Sequence, residues 1–255
     1  MNAVHRSDVG RVRAVNEDRA YSETLENGYT IAVVADGMGG HQAGDVASRL
    51  AVETIVRELT ALPSDLGANE RRSGLEQAIL RANDTIFHIA SQDEKYTHMG
   101  TTIVAAVIYN QEVTIGHIGD SRAYIVSRDR IKQLTEDHSL VHELMRKGQI
   151  TAEEAETHPR RNVLIRALGT DEVVQVDVSE FVLKPEETLL LCSDGLTRMI
   201  DDSTIWTITI DPSLPLHVIA DRLIARAIEA GGDDNVTVVL VQEQEPVSKK
   251  VGCDD

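Results

Sequence analysis

Residues 101–134 read TTIVAAVIYNQEVTIGHIGDSRAYIVSRDRIKQL, a run of apolar segments separated by short polar turns. β-Branched and other apolar residues dominate each segment, which is typical of strands. The predicted strands are residues 101–109, 112–118, 122–127 and 130–134. Links as short as Tyr109-Asn110-Gln111 favour antiparallel pairing, because a parallel pair needs a long crossover connection. We therefore expect a block of antiparallel sheet here.

Helical and strand patterns alternate on both sides of this block. Before it we predict a strand at 29–35, helices at 44–59 and 75–90, and a polar connection at 63–73 between those helices. After it we predict strands at 173–178, 188–192 and 236–241 and a helix at 215–230. The pattern predicts an α+β fold: a four-layer α-β-β-α sandwich in which two antiparallel sheets are flanked by helix pairs.

No linker divides the chain, so we expect a single domain over residues 1–241, followed by a polar tail over residues 242–255. Residues 135–162 differ from their surroundings because they are highly charged and weakly helical, at 139–147 and 152–156. Two interpretations stay open for this insertion. It is either a mobile segment over a site or a plain helical hairpin on the surface.

Composition limits the possible partners. The chain has 255 residues and a formal net charge of −17, which argues against nucleic acid or an anionic membrane surface as the main partner. Cys192 lies in an apolar run and Cys253 in the polar tail, so we expect no disulfide between them. We therefore expect a reducing compartment. With no signal-like or membrane-spanning apolar stretch, we expect a monomeric cytoplasmic protein.

Four short acidic clusters are spread over more than two hundred residues. They are Asn16-Glu17-Asp18, Asp36-Gly37, Asp194-Gly195 and Asp233-Asp234-Asn235. Two of them follow apolar runs, so each strand would deliver a carboxylate to the rim of a sheet while the glycine lets the backbone turn away. Converging carboxylates repel one another unless a cation lies among them. Oxygen ligands alone favour magnesium or manganese over zinc.

Arg13 lies four residues before Glu17. If this stretch is extended, both side chains share a face, and the guanidinium could hold two oxygens of a phosphate. The alternative is an ordinary surface ion pair. Asp120, between two predicted strands, is equally well a metal ligand or a turn residue.

Other sites are less well supported by the sequence. The loop from Asp36 to His41 is rich in glycine but lacks the Lys-Ser/Thr ending of a nucleotide phosphate loop. His138 and His142 are four residues apart without the glutamate of a zinc-protease helix, so we interpret both as surface or flap histidines. No Gly-x-Ser-x-Gly elbow is present.

Six motifs occur in the order found in type 2C, metal-dependent protein serine/threonine phosphatases, and the chain resembles the bacterial branch of that family from about Ser7 to Val241. The motifs are Arg13-x-x-Asn16-Glu17-Asp18, Val34-Ala35-Asp36-Gly37-Met38-Gly39-Gly40, Gly100-Thr101-Thr102, Gly119-Asp120-Ser121-Arg122, Leu191-Cys192-Ser193-Asp194-Gly195 and Asp234-Asn235-Val236-Thr237.

The resemblance implies a binuclear magnesium or manganese centre. The implied ligands are Asp18, Asp36, Asp194, Asp234 and the carbonyl of Gly37. It implies that Glu17 acts through a metal-bound water, that Arg13 holds the substrate phosphate, and that Asp120 and Asp194 form a third, weaker metal site. Residues 135–162 correspond to the family's flap. Met38 stands where many eukaryotic members carry a histidine, and His41 is a candidate substrate-binding residue three positions further on.

We therefore expect hydrolysis of phosphoserine and phosphothreonine in proteins, with Arg13, Asp36 and Asp194 as catalytic residues. The nucleophile would be a water between two metal ions. The substrates would be phosphorylated proteins, and the enzyme would oppose a bacterial eukaryotic-like kinase. The rival hypotheses are a binding module without turnover, which broken ligand positions would reveal, and a metal-dependent nuclease, which the acidic surface disfavours.

Overall fold

The computed structural model describes residues 1–39, 43–64 and 66–243. Two antiparallel sheets form its centre. The first has the strand order β1-β11-β10-β7-β8, and the second has the order β2-β3-β5-β6-β9, with the short β4 paired to β3. The strands are β1 Asn2–Asp8, β2 Asp18–Thr24, β3 Tyr29–Met38, β4 Gly100–Thr101, β5 Ile103–Tyr109, β6 Glu112–Ile118, β7 Arg122–Val126, β8 Ile131–Gln133, β9 Asp177–Val182, β10 Thr188–Cys192 and β11 Val236–Gln242.

Helices cover the outer face of each sheet. The helices of the described residues are α1 Ala43–Thr60, α2 Ala68–Gln92, α3 Leu140–Arg146, α4 Ala152–Glu156, α5 Asp194–Thr197, α6 Asp202–Thr209 and α7 Leu216–Ala230, with a 3₁₀ turn at Glu94–Tyr96, and α3 and α4 belong to the insertion at 135–162. The pair α1 and α2 packs on the second sheet, and α5, α6 and α7 pack on the first. The predicted four-layer sandwich is therefore confirmed. In the part of the chain described here, no helix is long and apolar enough to cross a membrane.

Side-chain alternation along β3 connects the layers and also places the site. Ile31 and Val33 face the helices, whereas Ala32 and Val34 face the space between the two sheets. Because successive side chains of a strand point to opposite faces, Asp36 continues the inward series of Ala32 and Val34. The strand thus carries a carboxylate to the end of the inter-sheet core.

Several predicted boundaries are wrong. The second helix begins at Ala68, not at residue 75 as predicted, because Glu70 accepts the backbone N–H of Gly67 at 2.9 Å and caps the helix within the supposed polar connection. The predicted strand at 173–178 is displaced to Asp177–Val182, since that stretch pairs with β6. The strands β1 and β2 and the helix α6 were not predicted.

Residues 135–162 form a helical hairpin, with α3 and α4 close to their predicted places. Its base is closed by the N–H of Leu140, which donates to the carbonyl of Val163 at 2.8 Å. The N–H of His138 joins it to the turn after β6 by donating to the carbonyl of Gly119 at 2.7 Å. His138 lies within this segment but is buried, so its interpretation as a surface histidine is wrong. Its ring lies against His117, with centroids 4.6 Å apart.

Candidate metal centre

Two neighbouring strands bring Asp18 and Asp36 together. These residues are directly opposite each other in the antiparallel ladder of β2 and β3, so their side chains lie on one face. Asp18 is only 2% exposed. Its Oδ2 accepts a hydrogen bond of 2.7 Å from the hydroxyl of Ser193, and its Oδ1 has no hydrogen-bond partner among the described residues. A buried carboxylate oxygen without a donor is costly unless a cation satisfies it.

The first sheet supplies Asp194 and Asp234 to the same end of the sandwich. Asp194 is the first residue of α5, directly after β10, and Asp234 lies two residues before β11. Asp194 is buried, and its Oδ1 also has no partner within the described residues. Its Oδ2 lies 2.5 Å from Nη2 of Arg198. A hydrogen bond between the Ser193 hydroxyl of one sheet and Asp18 of the other fixes the two halves of the cluster together.

The pKa values of these carboxyl groups show that their charges act on one another. Burial raises the pKa of Asp18 to about 7, helped by the charges of Asp194 and Asp234. Burial, followed by the charges of Asp18 and Asp194, raises the pKa of Asp36 well above its usual value. The pKa of Asp120 rises to about 7 through burial and the neighbouring Asp194. Such a cluster resists ionisation until positive charge enters it.

Within residues 1–39, 43–64 and 66–243, no three His, Cys, Asp or Glu side chains are grouped closely enough to hold a metal ion by themselves. The carboxylates therefore form a divided cluster rather than a closed cage. The donor set nevertheless fits magnesium or manganese, because it consists of oxygen atoms and because Asp18 and Asp194 each present a buried oxygen that no described residue satisfies. These two ions also commonly complete their coordination with water.

The glycines of the two Asp-Gly pairs serve close packing, and Gly37 does not turn the chain as expected. β3 continues through Gly37 to Met38. A Cβ on Gly37 would overlap the backbone carbonyl of Gly44, and one on Gly195 would overlap the backbone carbonyl of Asn235. In each pair, the missing side chain lets another backbone segment approach directly behind an aspartate.

The carboxylate of Glu17 lies at the start of α1, where its Oε1 would be 2.7 Å from a Cβ placed on Gly44. Burial raises the pKa of Glu17, and the charge of Arg13 together with the backbone N–H groups of Asp45 and Gly44 opposes the rise. The backbone N–H of Glu17 donates to the side chain of Asn235 at 2.8 Å. The sequence motif assigns no role to Asn235, and the structure shows that its side chain holds the segment Asn16-Glu17-Asp18 in place.

Arg13 lies in a loop that joins β1 to β2, and not in an extended stretch as the shared-face interpretation supposed. Its Nη2 forms an ion pair with Oδ2 of Asp234 at 2.8 Å, while its side chain remains 50% exposed. Arg13 therefore stands at the rim of the carboxylate cluster with a face open to solvent, which suits recognition of an anion.

Asp120 also joins the cluster. It is buried, and Nη2 of Arg198 lies 3.5 Å from its Oδ2. Arg122, in the same motif, instead makes a bidentate ion pair with Asp137, with a closest approach of 2.7 Å. Arg198 was missed, because a single arginine after a short helix has no sequence pattern. His41, the predicted substrate-binding residue, lies outside the described residues.

Comparison with known proteins points to one family. The protein phosphatase 2C family model matches residues 10–220. The serine/threonine phosphatase stp of Listeria innocua is 44% identical over 245 residues, which cover 95% of this chain and 96% of that protein. The crystal structure of the serine/threonine phosphatase Stp1 from Staphylococcus aureus matches with a TM-score of 0.90 and 35% identity over 95% of this chain and 94% of that one.

A further solved structure bears on the metal. The catalytic domain of the serine/threonine protein phosphatase PstP, determined in complex with two manganese ions, has a TM-score of 0.81 and 34% identity, over 94% of this chain and 96% of that one.

Proposed function

This chain belongs to the protein phosphatase 2C family and is a phosphoprotein phosphatase, and from that premise we propose that it hydrolyses phosphoserine and phosphothreonine with a pair of magnesium or manganese ions. The observation that carries this proposal is the meeting of four aspartates from two different sheets at one end of the sandwich. Two of them have buried oxygens without a hydrogen-bond partner among the described residues, and burial raises the pKa values of at least three of the four.

We assign the metal ligands to both sheets. They are Asp18, Asp36, Asp194, Asp234 and the backbone carbonyl of Gly37, with Glu17 acting from behind through water and Asp120 contributing with Asp194 to a weaker third site. The two ions, when bound, would lower the pKa of a water between them for direct attack on phosphorus and offset charge on the phosphoryl oxygens.

The residues of the chain position the reactants. The half-exposed guanidinium of Arg13 holds two phosphate oxygens through its planar fork, and its ion pair with Asp234 fixes it beside the metal ligands. Asp36 and Asp194 approach from opposite sheets and set the place where the ions are held. Asn235 keeps the segment from Arg13 to Glu17 against the cluster.

The proposed substrates are proteins phosphorylated by a bacterial eukaryotic-like kinase. Residues 1–241 act as a single catalytic domain in a monomer, and the hairpin at 135–162 acts as the flap beside the cleft. Of the proposed tail, Gln242 ends β11, and residues 244–255 lie outside the described residues.

The test is hydrolysis of a phosphothreonine peptide in the presence of manganese. We expect activity that a chelator abolishes and that Asp36→Asn or Asp194→Asn lowers by at least about a hundredfold. The control is Asp221→Asn, which makes the same chemical change in an exposed ion pair with Arg6 on the outer helix. Turnover without metal, or full activity of Asp36→Asn, would refute the proposal.

A second measurement tests Arg13. Arg13→Lys keeps the charge but loses the fork, so kcat/KM for the phosphopeptide should fall by about tenfold or more. Equal kcat/KM values for the wild type and this variant would remove Arg13 from the proposed site. Comparing cleavage of DNA with cleavage of the phosphopeptide separates a phosphatase from the rival nuclease.

A further inference from the structure

Arg198 lies between two acidic side chains at the edge of the proposed metal centre. It follows α5, and its backbone N–H donates to the carbonyl of Asp194 at 2.9 Å. Its Nη2 reaches Oδ2 of Asp194 at 2.5 Å and Oδ2 of Asp120 at 3.5 Å. A single guanidinium nitrogen therefore faces both carboxylates that the third, weaker metal site would use.

The two carboxylates are held from separate parts of the chain. Asp120 follows β6 in a tight turn whose Gly119 has a φ of +110°. Asp194 begins α5, and its second oxygen, Oδ1, has no partner in the described parts of the chain. Both residues are at least nine-tenths buried. The pair is thus a rigid, desolvated anionic position in which some cation is required.

We propose that Arg198 is a built-in cation that competes with a divalent ion for the position between Asp120 and Asp194, and so weakens the third metal site of this chain. The inference rests on the proposed function, because Asp194 is also assigned to the metal pair. A guanidinium stays charged at every physiological pH, so Arg198 itself competes with metal without a change in its protonation state.

Arg198 can give way. Its side chain is 29% exposed, and its only ion-pair partners in the described residues are Asp120 and Asp194. A divalent ion binding both carboxylates must therefore break one close ion pair and move the guanidinium toward solvent. The affinity of the third site is lowered by the free energy of that displacement.

A purely structural salt bridge would behave differently. If Arg198 only fastened the end of α5 to the turn at Asp120, its removal would lower thermal stability and leave the number and affinity of bound ions unchanged. If it competes with metal, its removal must tighten the weak class of sites, and the tightening must require Asp120.

The experiment is titration of the full chain with Mn²⁺ alone, with free Mn²⁺ measured by its room-temperature electron paramagnetic resonance signal. Arg198→Gln should tighten the weakest site by about tenfold or more relative to wild type, because a positive charge in contact with its ligands is removed. Arg198→Lys should bind Mn²⁺ more nearly as the wild type does, since the charge is kept.

Two further variants make the result specific. Arg222 lies on α7 and forms a largely exposed ion pair with Asp211. Arg222→Gln removes the same charge from that pair and should leave every Mn²⁺ affinity unchanged. In Asp120→Asn combined with Arg198→Gln, the tightened site should disappear while the tighter pair of ions remains. Arg198→Met, which also lacks the charge, replaces Arg198→Gln if thermal melting in chelator shows the latter to be unfolded.

The outcomes separate the two proposals. If the wild type binds two Mn²⁺ tightly and Arg198→Gln leaves the weakest site as it was, the competition is refuted and the proposed function stands. If tightening occurs but persists without Asp120, the assigned position is wrong. If neither protein binds Mn²⁺, both the proposed function and this inference fail.

Discussion

Replacing Asp18 by asparagine should stabilise the protein when no metal is bound. Asp18 is buried opposite Asp36, and one of its oxygens has no donor in the described residues. Its pKa rises from 3.8 to about 7 on folding. A carboxyl that holds its proton more tightly in the folded chain costs nothing below about pH 4, and its cost grows as the pH rises toward 7.

The magnitude follows from that rise. Each pH unit between the two pKa values is worth about 1.4 kcal/mol, so above pH 7 the ionised Asp18 opposes folding by about 4 kcal/mol. The asparagine side chain of the variant would carry no charge and could still accept the hydroxyl of Ser193, but its buried amide group would need partners of its own. We expect the free energy of unfolding of Asp18→Asn to exceed that of the wild type by about 2 kcal/mol at pH 8 in the presence of a chelator.

The assay is urea denaturation of Asp18→Asn and wild type at pH 8, with chelator and with saturating Mn²⁺. The variant should be the more stable protein in chelator. The order should reverse in Mn²⁺, because only the wild type gains about 2.7 kcal/mol from metal at a hundred times its Kd. Asp221→Asn, at the exposed pair with Arg6, should change stability by less than about 0.5 kcal/mol. A variant less stable than wild type in chelator would refute the reasoning.

Three further predictions concern packing, pH and the base of the hairpin. Gly37→Ala should lower the free energy of unfolding, measured by urea denaturation, by about 1 to 3 kcal/mol, because its Cβ would overlap the backbone of Gly44. A variant as stable as the wild type would contradict this. Burial lowers the pKa of His117 to about 3, so wild type should lose about 2 kcal/mol from this group between pH 7 and pH 5, as the unfolded chain binds a proton that the folded chain does not. His117→Leu should lose correspondingly less stability over that range, and equal losses would disprove the assignment. Arg122→Ala should cost about 2 to 3 kcal/mol in thermal or urea unfolding because it leaves Asp137 without its ion pair, and a loss below about 0.5 kcal/mol would show that the pair contributes little.

The central part of the fold could be predicted because its strands are apolar and its turns are short. The series from Ile31 to Val34 alternates between two buried faces, and that same alternation explains why Asp36 enters the site. The edge strand β1 was missed because its residues are only partly buried or exposed, which leaves a weak apolar signal. The predicted strand began at Val173 because this residue is apolar, but the structure leaves Val173 86% exposed and outside the strand.

Contacts between distant residues could not be predicted in the same way. The convergence of Asp18 with Asp194 depends on the packing of two sheets, which no local pattern records. Nothing in the sequence around His138 indicates that its ring accepts the N–H of Gly119, at 3.1 Å, from the turn that contains Asp120. Arg198 could not be predicted for the same reason, since its proposed role depends only on the two carboxylates that it contacts in the folded chain.

The side chain of Asn235 bonds at once to the backbone of Glu17, Val9 and Val15. The loop that bears Arg13 is therefore held by a residue more than two hundred positions further along the chain, and β1 pairs with β11 in the same region. During synthesis on the ribosome, this loop cannot be fixed until Asn235 and β11 have emerged. A nascent chain released before Val236 would carry all of the proposed acidic ligands but would lack β11, so we expect it to be unable to hold them in place for dephosphorylation.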